Sequence, residues 1–333
     1  MRILVTGATG YVGSRLVTAL LANRHRVVAA TRNPKRLKRL GWFDDIAPVT
    51  LDASDPVSVR AAFASSEDAV GPVDVVYYLV HGIGQPGFRD ADRAAATNVA
   101  IAARDAGVRR IVYLGGFVPA GEDLSEHLTS RAELAEALTV DDGPELVWLG
   151  AAMLIGAGST SFEMRRCVGD RFPVMPIPSW MDNPIDPISI RDLLHCLVAA
   201  ADPGRVPAGA YDISGSTTTS YRELLKGYAR ISGRRHAALP VGIDDAIAVA
   251  LADRSIPGPR PVNALTDPHH LADSDPASAG GDALRIRRLA RAITPPIARP
   301  TLRLADIVPG PNAGALRTGL DILFTWTPKG RAA

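Results

Sequence analysis

The stretch RILVTGATGYVG, residues 2–13, places an apolar run directly before a turn that holds Gly7, Gly10 and Gly13. The run predicts a buried strand, and the apolar pattern after it predicts a helix over 11–22. In this setting the first glycine permits a tight turn, the second lets a pyrophosphate approach the backbone, and the third lets helix and strand pack closely. The predicted cofactor contacts at this turn are Gly7, Thr9, Gly10, Tyr11, Val12 and Gly13. A glycine turn without a ligand is the alternative.

Composition narrows the class of protein. The chain has 333 residues, 47% hydrophobic and 22% charged, with a net charge of +2. These values are ordinary for a globular protein and give no reason to expect a nucleic-acid partner. The two cysteines, Cys167 and Cys196, are too few for a disulfide framework and lack zinc spacing, so we expect no metal site. No apolar segment approaches the roughly 20 residues of a membrane span, and no export signal is visible, so we expect a cytoplasmic protein.

Strand-like and helix-like segments alternate through the first half of the chain. The predicted strands are 2–6, 26–31, 48–51, 73–79, 110–114 and 145–149. The predicted helices are 11–22, 34–40, 56–63, 90–106 and 125–138. Such alternation predicts right-handed βαβ units, hence an α/β fold with a Rossmann-type, doubly wound parallel sheet.

After Gly150 the pattern becomes less regular. We expect irregular structure at 172–178 and 183–187 because both segments are rich in proline. The elements predicted after them are a helix over 190–201, a strand over 210–213, a helix over 220–231, a loop over 257–281, and helices over 282–293 and 312–324. The predicted domains are therefore a dinucleotide-binding domain over 1–150 and a smaller substrate-side lobe over 151–333. The lobe itself comprises 171–189 and 202–333, interleaved with the last Rossmann elements.

The glycine spacing resembles that of the extended and atypical short-chain dehydrogenase/reductase superfamily. Four further runs are similar to an NmrA-like, NAD(P)H-binding branch of it: YYLVHGIG (77–84), RRIVYLGGF (109–117), LTSRAELAEAL (128–138) and GAGSTSFEMRR (156–166). The resemblance covers roughly residues 1–235 and implies a dinucleotide-binding oxidoreductase fold.

The residues after the second predicted strand bear on the choice of dinucleotide. An acidic residue at this place binds the ribose 2′-hydroxyl of NAD, whereas an arginine accommodates the 2′-phosphate of NADP. Here Arg32 is followed by Lys35, Arg36, Lys38 and Arg39, with no acidic residue before Asp44. We therefore expect NADP(H), with NAD(H) as second choice, and Arg32 and Arg36 as contacts. A solvated basic face and a nucleic-acid patch are the alternatives.

The resemblance implies further cofactor contacts at the ends of two strands. Asp52 and Ala53 fall where the superfamily contacts the adenine, and Leu79, Val80 and His81 should pass beside the nicotinamide ribose. His81 is also a candidate proton donor, because ligands bind at the carboxyl edge of open α/β sheets.

The catalytic residues that the resemblance implies are missing. The superfamily has a serine after the fifth strand and a Tyr-x-x-x-Lys pair on the next helix, but here the strand ends in Gly115-Gly116 and no such pair occurs. His127 and Arg131 share one face of the predicted helix at i, i+4. Arg131 is a candidate ribose ligand, and His127, with an ordinary pKa near ~6.5, a candidate proton donor. An ordinary surface histidine and a salt-bridging arginine are the alternative.

Other polar and aromatic residues have a structural interpretation. Tyr77, Tyr78 and Tyr113 lie within strands and are expected in the core. Asn98 is expected either at the cleft or in solvent. Packing is preferred over a pocket for Phe162, Met164 and Cys167, and His269–His270 has no evident partners for a metal site.

Two function classes follow from the sequence. The first is an NADP(H)-dependent oxidoreductase acting on a small carbonyl, quinone or enone. The second is a catalytically silent NADP(H)-binding sensor, regulatory or assembly protein with a protein partner, which the missing serine and Tyr-x-x-x-Lys pair favour. A nucleotide-sugar epimerase is disfavoured because that chemistry depends on the missing tyrosine. The sequence does not specify the substrate or the oligomeric state.

Overall fold

A computed structural model describes residues 1–80, 88–116, 126–151, 153–157, 159, 174–231, 237–241, 285–288 and 301–303. Its strands are β1 (Arg2–Thr6), β2 (Arg26–Thr31), β3 (Ala47–Thr50), β4 (Val75–Tyr78), β5 (Arg110–Gly116), β6 (Glu145–Ala151), β7 (Met153–Ile155), β8 (Val174–Pro178), β9 (Pro184–Ile185), β10 (Pro187–Ser189), β11 (Gly209–Ser214), β12 (Thr219–Ser220), β13 (Ala237–Val241), β14 (Arg285–Arg288) and β15 (Thr301–Arg303). Its α-helices are α1 (Tyr11–Ala22), α2 (Pro56–Val70), α3 (Phe88–Asp105), α4 (Glu126–Ala137), α5 (Ile190–Ala200) and α6 (Tyr221–Ile231). Short 3₁₀ helices cover Pro34–Arg39, Phe43–Asp45 and Ser179–Asp182.

The central sheet has the order β15-β14-β11-β6-β5-β4-β1-β2-β3. The seven strands from β11 to β3 are parallel, and β14 and β15 add to the β11 edge in antiparallel pairing. The chain moves outward from β1 to β2 and β3, then returns to place β4 on the other side of β1. This reversal is the point at which open α/β sheets bind their ligands.

Helices cover both faces of the sheet. Leu16 and Leu20 of α1 and Leu193 of α5 are buried against one face. Phe63 of α2 and Val99 of α3 are buried against the other face, where α4 also packs. The predicted Rossmann-type, doubly wound sheet is therefore confirmed.

Several elements differ from their predicted limits or type. The helix predicted over 34–40 is a 3₁₀ helix, and the helix predicted over 56–63 continues to Val70. The prediction of irregular structure at 172–178 and 183–187 was wrong at 174–178, 184–185 and 187, where β8, β9 and the start of β10 lie. Among the described residues these strands belong to two-stranded sheets and pair on one side only, and proline, which has no N–H to donate, is tolerated at the other edge.

The helix predicted over 282–293 was wrong at Arg285–Arg288, which form β14. Ile286 pairs there with Ile213 of β11, so sheet pairing outweighs the local helical propensity of this arginine-rich segment. The loop predicted over 257–281 and the helix over 312–324 lie outside the described residues. The division into domains at 150 stays a prediction. No helix among the described residues is both long and apolar enough to cross a membrane.

Candidate functional site

The glycine turn joins β1 to α1 and brings three close backbone contacts together. Gly7 has φ +67°, a conformation that favours glycine, and a Cβ there would lie 3.0 Å from the carbonyl oxygen of Leu79. A Cβ on Gly13 would collide with the carbonyl oxygen of Gly7 and lie 2.9 Å from its carbon. A Cβ on Gly10 would meet only the Gly7 oxygen, at 3.1 Å. Gly7 and Gly13 are thus required by the fold, whereas Gly10 mainly leaves space above the turn.

The start of α1 offers donors to an anion. Gly10 is the N-cap, no side chain caps it, and the first turn contains no acidic residue. The first N–H groups of a helix have no acceptor within the helix and carry a partial positive charge. A phosphate group fits this position, because it would accept from those donors and occupy the space that Gly10 leaves open.

A hydroxyl joins the end of β4 to the end of β1. Thr6 Oγ1 donates to the carbonyl of Tyr77 at 2.9 Å and accepts from the N–H of Leu79 at 3.1 Å. This contact places half-buried Leu79 and Val80 beside the glycine turn. The predicted cofactor contacts Leu79 and Val80, after β4, thus lie next to the predicted contacts of the glycine turn, after β1.

A basic cleft of about 430 Å³ lies next to the glycine turn. Its lining is Thr9, Thr31, Arg32, Asn33, Lys35, Arg36 and Arg39. None of the described residues contributes a carboxylate to it. The structure therefore brings Thr9 of the glycine turn together with predicted residues Arg32 and Arg36.

The 3₁₀ helix over Pro34–Arg39 shapes this basic cleft. Asn33 caps it by accepting from the N–H of Lys35 at 3.2 Å, and Leu37 is fully buried beneath it. With three residues per turn, Arg36 and Arg39 share a face. Lys35 and Arg39 line the cleft as well, beyond the two contacts that the sequence predicted. The proline at the first position of a six-residue basic segment was the available signal for a short, tight turn.

The loop after β3 borders the same region. The Asp52 carboxylate accepts from the hydroxyl of Ser54 at 2.7 Å and from its N–H at 3.1 Å. These bonds lower the pKa of Asp52, and the charge of Arg32 contributes in the same direction. The carbonyl of Ala53 accepts from the amide of Asn98 at 3.0 Å. Asn98 is therefore half-buried and fixes this loop rather than extending into solvent.

On the other side of the sheet, α4 carries His127 and Arg131. Arg131 is half-buried, and its carbonyl accepts from the Tyr113 hydroxyl at 3.2 Å. Glu133 accepts from Arg89 Nε at 2.6 Å, which clamps α4 to the start of α3 and lowers the pKa of Glu133. Only the backbone of His127 is described, one helical turn before Arg131.

The strand tyrosines are core residues, as predicted. Tyr77, Tyr78 and Tyr113 are at most 1% exposed. The Tyr77 hydroxyl donates to the carbonyl of Leu197 at 2.6 Å, which links β4 to α5. Burial raises the pKa of all three hydroxyls and so favours their protonated form.

Comparison with known proteins agrees with this geometry. Residues 7–139 match a family model described as NAD(P)H-binding.

Relatives that match most of the chain include reductases and a subunit of a mitochondrial NADH dehydrogenase. The chain is 23% identical to a mitochondrial NADH dehydrogenase [ubiquinone] 1 alpha subcomplex subunit 9 of Arabidopsis thaliana, over 81% of this chain and 71% of that protein. It is 27% identical to a (4-alkanoyl-5-oxo-2,5-dihydrofuran-3-yl)methyl phosphate reductase of Streptomyces griseus, over 75% of this chain and 80% of that protein. The fold is also similar to that of a short-chain dehydrogenase/reductase superfamily protein from Agrobacterium tumefaciens, solved with bound NAD. The two superpose with TM-score 0.57 at 17% identity, over 73% of this chain and 87% of that chain.

The likeness to the solved structure supports the Rossmann-type fold that the sequence predicted, and the NmrA-like branch stays a prediction. Six residues that the sequence analysis discusses lie outside the described residues: His81, Phe162, Met164, Cys167, His269 and His270. Within the part of the chain that the structure describes, no group of three histidine, cysteine or acidic side chains could hold a metal ion.

Proposed function

We propose that the glycine turn and the basic cleft bind a dinucleotide, and that they bind NADP(H) in preference to NAD(H). The observation that carries this proposal is the basic cleft beside the glycine turn, which gathers Arg32, Lys35, Arg36 and Arg39. A ribose 2′-phosphate is a compact dianion, and arginine presents paired N–H donors that match its oxygens. Thr9 lies in the same lining, so one ligand could reach both the cleft and the glycine turn.

The missing carboxylate supports the same choice. A protein that prefers NAD holds the ribose 2′-hydroxyl with an acidic side chain at the end of β2. Here β2 ends at Thr31 and is followed by Arg32, and the carboxylate of Asp52 is already bonded to Ser54. A 2′-phosphate would meet four positive charges in this cleft, whereas NAD would leave them unneutralised.

We further propose that the protein is an oxidoreductase acting on a small carbonyl, quinone or enone. The bound nicotinamide would supply or accept the hydride. Arg131 would hold the cofactor ribose, and His127 or a water molecule would move the proton at the substrate oxygen, with His81 as a second donor. The i, i+4 placement of His127 and Arg131 on α4 and the reductase activity named for the Streptomyces griseus relative support this role.

A catalytically silent NADP(H)-binding sensor, regulatory or assembly protein is the second candidate. It is supported by Gly115-Gly116 at the end of β5, where the superfamily places its serine, and by the lack of a Tyr-x-x-x-Lys pair. The relative from Arabidopsis thaliana, named as a subunit of NADH dehydrogenase, supports it too. This role would require a protein partner. For either role a cytoplasmic location stays a prediction.

The cofactor preference is tested by calorimetric titration with NADPH and NADH. We expect NADPH to bind more tightly, and Arg36→Ala to raise its Kd by about 10- to 100-fold, since a charged hydrogen bond contributes roughly 1.5–3 kcal/mol. The Kd for NADH should change little. Lys38→Ala is the matched control, because it removes the same charge from the same 3₁₀ helix but does not line the cleft. Tighter binding of NADH, or equal losses for both dinucleotides in Arg36→Ala, would contradict the proposal.

Measuring the oxidation of NADPH distinguishes an oxidoreductase from a catalytically silent binding protein. NADPH oxidation is followed with a panel of aldehydes, quinones and enones, using wild type and His127→Ala. Acceptor-dependent oxidation identifies an oxidoreductase, and its loss in His127→Ala assigns the proton donor. Tight NADPH binding without oxidation by any acceptor in the panel favours the silent role, and partner affinity should then depend on NADPH.

A further inference from the structure

We propose that Arg15 is a positioning residue for the dinucleotide, fastening the first turn of α1 to the turn that follows β7. The contact set formed by Tyr11, Arg15, Gly156 and Ala157 is called the α1 clasp below. The inference rests on the proposed function, because it concerns how the glycine turn is held for the pyrophosphate.

The first half of the α1 clasp lies within α1. Arg15 Nη1 donates to the carbonyl of Tyr11 at 3.0 Å. The guanidinium carbon lies 4.2 Å from the centroid of the Tyr11 ring, within the range of a cation–π contact. Arg15 therefore holds both the backbone and the ring of the first residue of α1.

The second half of the α1 clasp reaches a distant part of the chain. Arg15 Nη2 donates to the carbonyl of Ala157 at 3.1 Å, across 142 positions of sequence. The turn that presents this carbonyl is itself held, since Ser159 N–H donates to Gly156 at 3.0 Å and Ser159 Oγ to Leu154 at 3.3 Å. One guanidinium thus joins two structured segments.

Gly156 explains how the Tyr11 ring fits. A Cβ at this position would collide with the Tyr11 hydroxyl and lie 2.7 Å from Ile190 Cγ2. The Tyr11 ring is therefore confined by Arg15 and by the backbone of Gly156.

The position of the α1 clasp indicates which part of the cofactor it serves. It fixes the helix start, where we place the pyrophosphate, to a turn at the carboxyl edge of the sheet, beyond β6 and β7. None of the four clasp residues lines the basic cleft. Loosening the clasp should therefore weaken binding of the whole dinucleotide and leave binding of the ribose 2′-phosphate unchanged.

The experiment compares two ligands by calorimetry: NADP⁺, and adenosine 2′-monophosphate, which carries the ribose phosphate without a pyrophosphate. We expect Arg15→Met to raise the Kd for NADP⁺ about tenfold, which is about 1.4 kcal/mol, and to change the Kd for adenosine 2′-monophosphate by less than about twofold. Gly156→Ala, which displaces Tyr11 from the other side, should give the same pattern. Arg15→Lys should restore part of the affinity, because an ammonium group can lie over the ring but lacks the planar fork.

Arg60→Met, on the exposed surface of α2, is the control for loss of an arginine and should bind both ligands as wild type does. The inference is overturned if folded Arg15→Met binds NADP⁺ as tightly as wild type, or if both ligands lose affinity equally. If wild type binds neither ligand, the proposed function fails and the inference fails with it. If wild type binds both and the clasp variants match it, only the inference fails.

Discussion

At the scale of single residues, the glycines of the turn form one motif in the sequence but have two different roles, one in packing and one in leaving space for a ligand. Gly13 is needed because the backbone of Gly7 occupies the place where its side chain would be. Gly10 has far more space and lies at the open end of α1. The same residue type therefore serves the fold at one position and leaves room for a ligand at the other.

This difference predicts two distinct mutant phenotypes. Gly13→Ala should lower the free energy of unfolding by about 1–3 kcal/mol, because the new methyl group forces the backbone apart. Gly10→Ala should cost less than about 1 kcal/mol in stability, yet raise the Kd for NADPH at least about tenfold by blocking the phosphate. Urea denaturation and calorimetry measure the two quantities. Equal destabilisation by both substitutions, or tight NADPH binding by Gly10→Ala, would show the assignment to be wrong.

At the scale of elements, an ion-pair cluster ties the start of β1 to the start of β4. Asp74 accepts from the N–H of Arg2 at 2.8 Å and from its guanidinium at 2.8 and 3.1 Å, and Arg109 lies 3.3 Å away. The side-chain hydrogen bond from Arg2 is the main reason that the pKa of Asp74 falls to about 2. The cluster fixes the end of the sheet opposite the ligand site.

The cluster predicts an acid-dependent loss of stability. The folded pKa of Asp74 lies below its ordinary value near ~3.9, so its contribution is complete above about pH 4 and is lost as pH falls through about 2. Because Arg2 is one-third exposed, solvent screens the ion pair. We therefore expect Asp74 to contribute only about 1 kcal/mol to the free energy of unfolding. Urea denaturation between pH 6 and 2 should show that the free energy of unfolding decreases less for Asp74→Asn than for wild type as the pH falls. Parallel curves for the two proteins would contradict this.

At the scale of the whole molecule, Arg110 connects the sheet to the second half of the chain. Its side chain is 1% exposed and donates to the carbonyls of Ala200 at 2.9 Å and Val206 at 2.6 Å. It also pairs with Glu145 at 2.8 Å. The segment that leads from α5 to β11 is thus anchored beneath β5, which lets β11 extend the parallel sheet.

We therefore expect Arg110→Leu to lower the free energy of unfolding by about 2–4 kcal/mol, since two buried carbonyls lose their donor. The neighbouring Arg109 is the matched control: it is 68% exposed, and Arg109→Leu should cost less than about 1 kcal/mol. Chemical denaturation measures both. Similar costs for the two variants would mean that Arg110 does not anchor this segment.

The sequence by itself determined the order of strands and helices through β6, the glycine turn and the basic segment after β2. These follow from local patterns, namely the period of apolar residues and the special backbone conformations of glycine. For the same reason, the residues alone predicted the Rossmann-type fold, which the structure and the comparisons confirm.

Only the tertiary structure decided which of these residues meet. The 3₁₀ helix brings Lys35 and Arg39 into the basic cleft, and Arg15 contacts Ala157, which lies 142 positions away in the sequence. The proline-rich segments contain β8 and β9, and Arg285–Arg288 form β14, because partners distant in sequence pair with them. Such contacts depend on how the whole chain closes, and the free energy that selects them comes from burial and pairing that no local window contains.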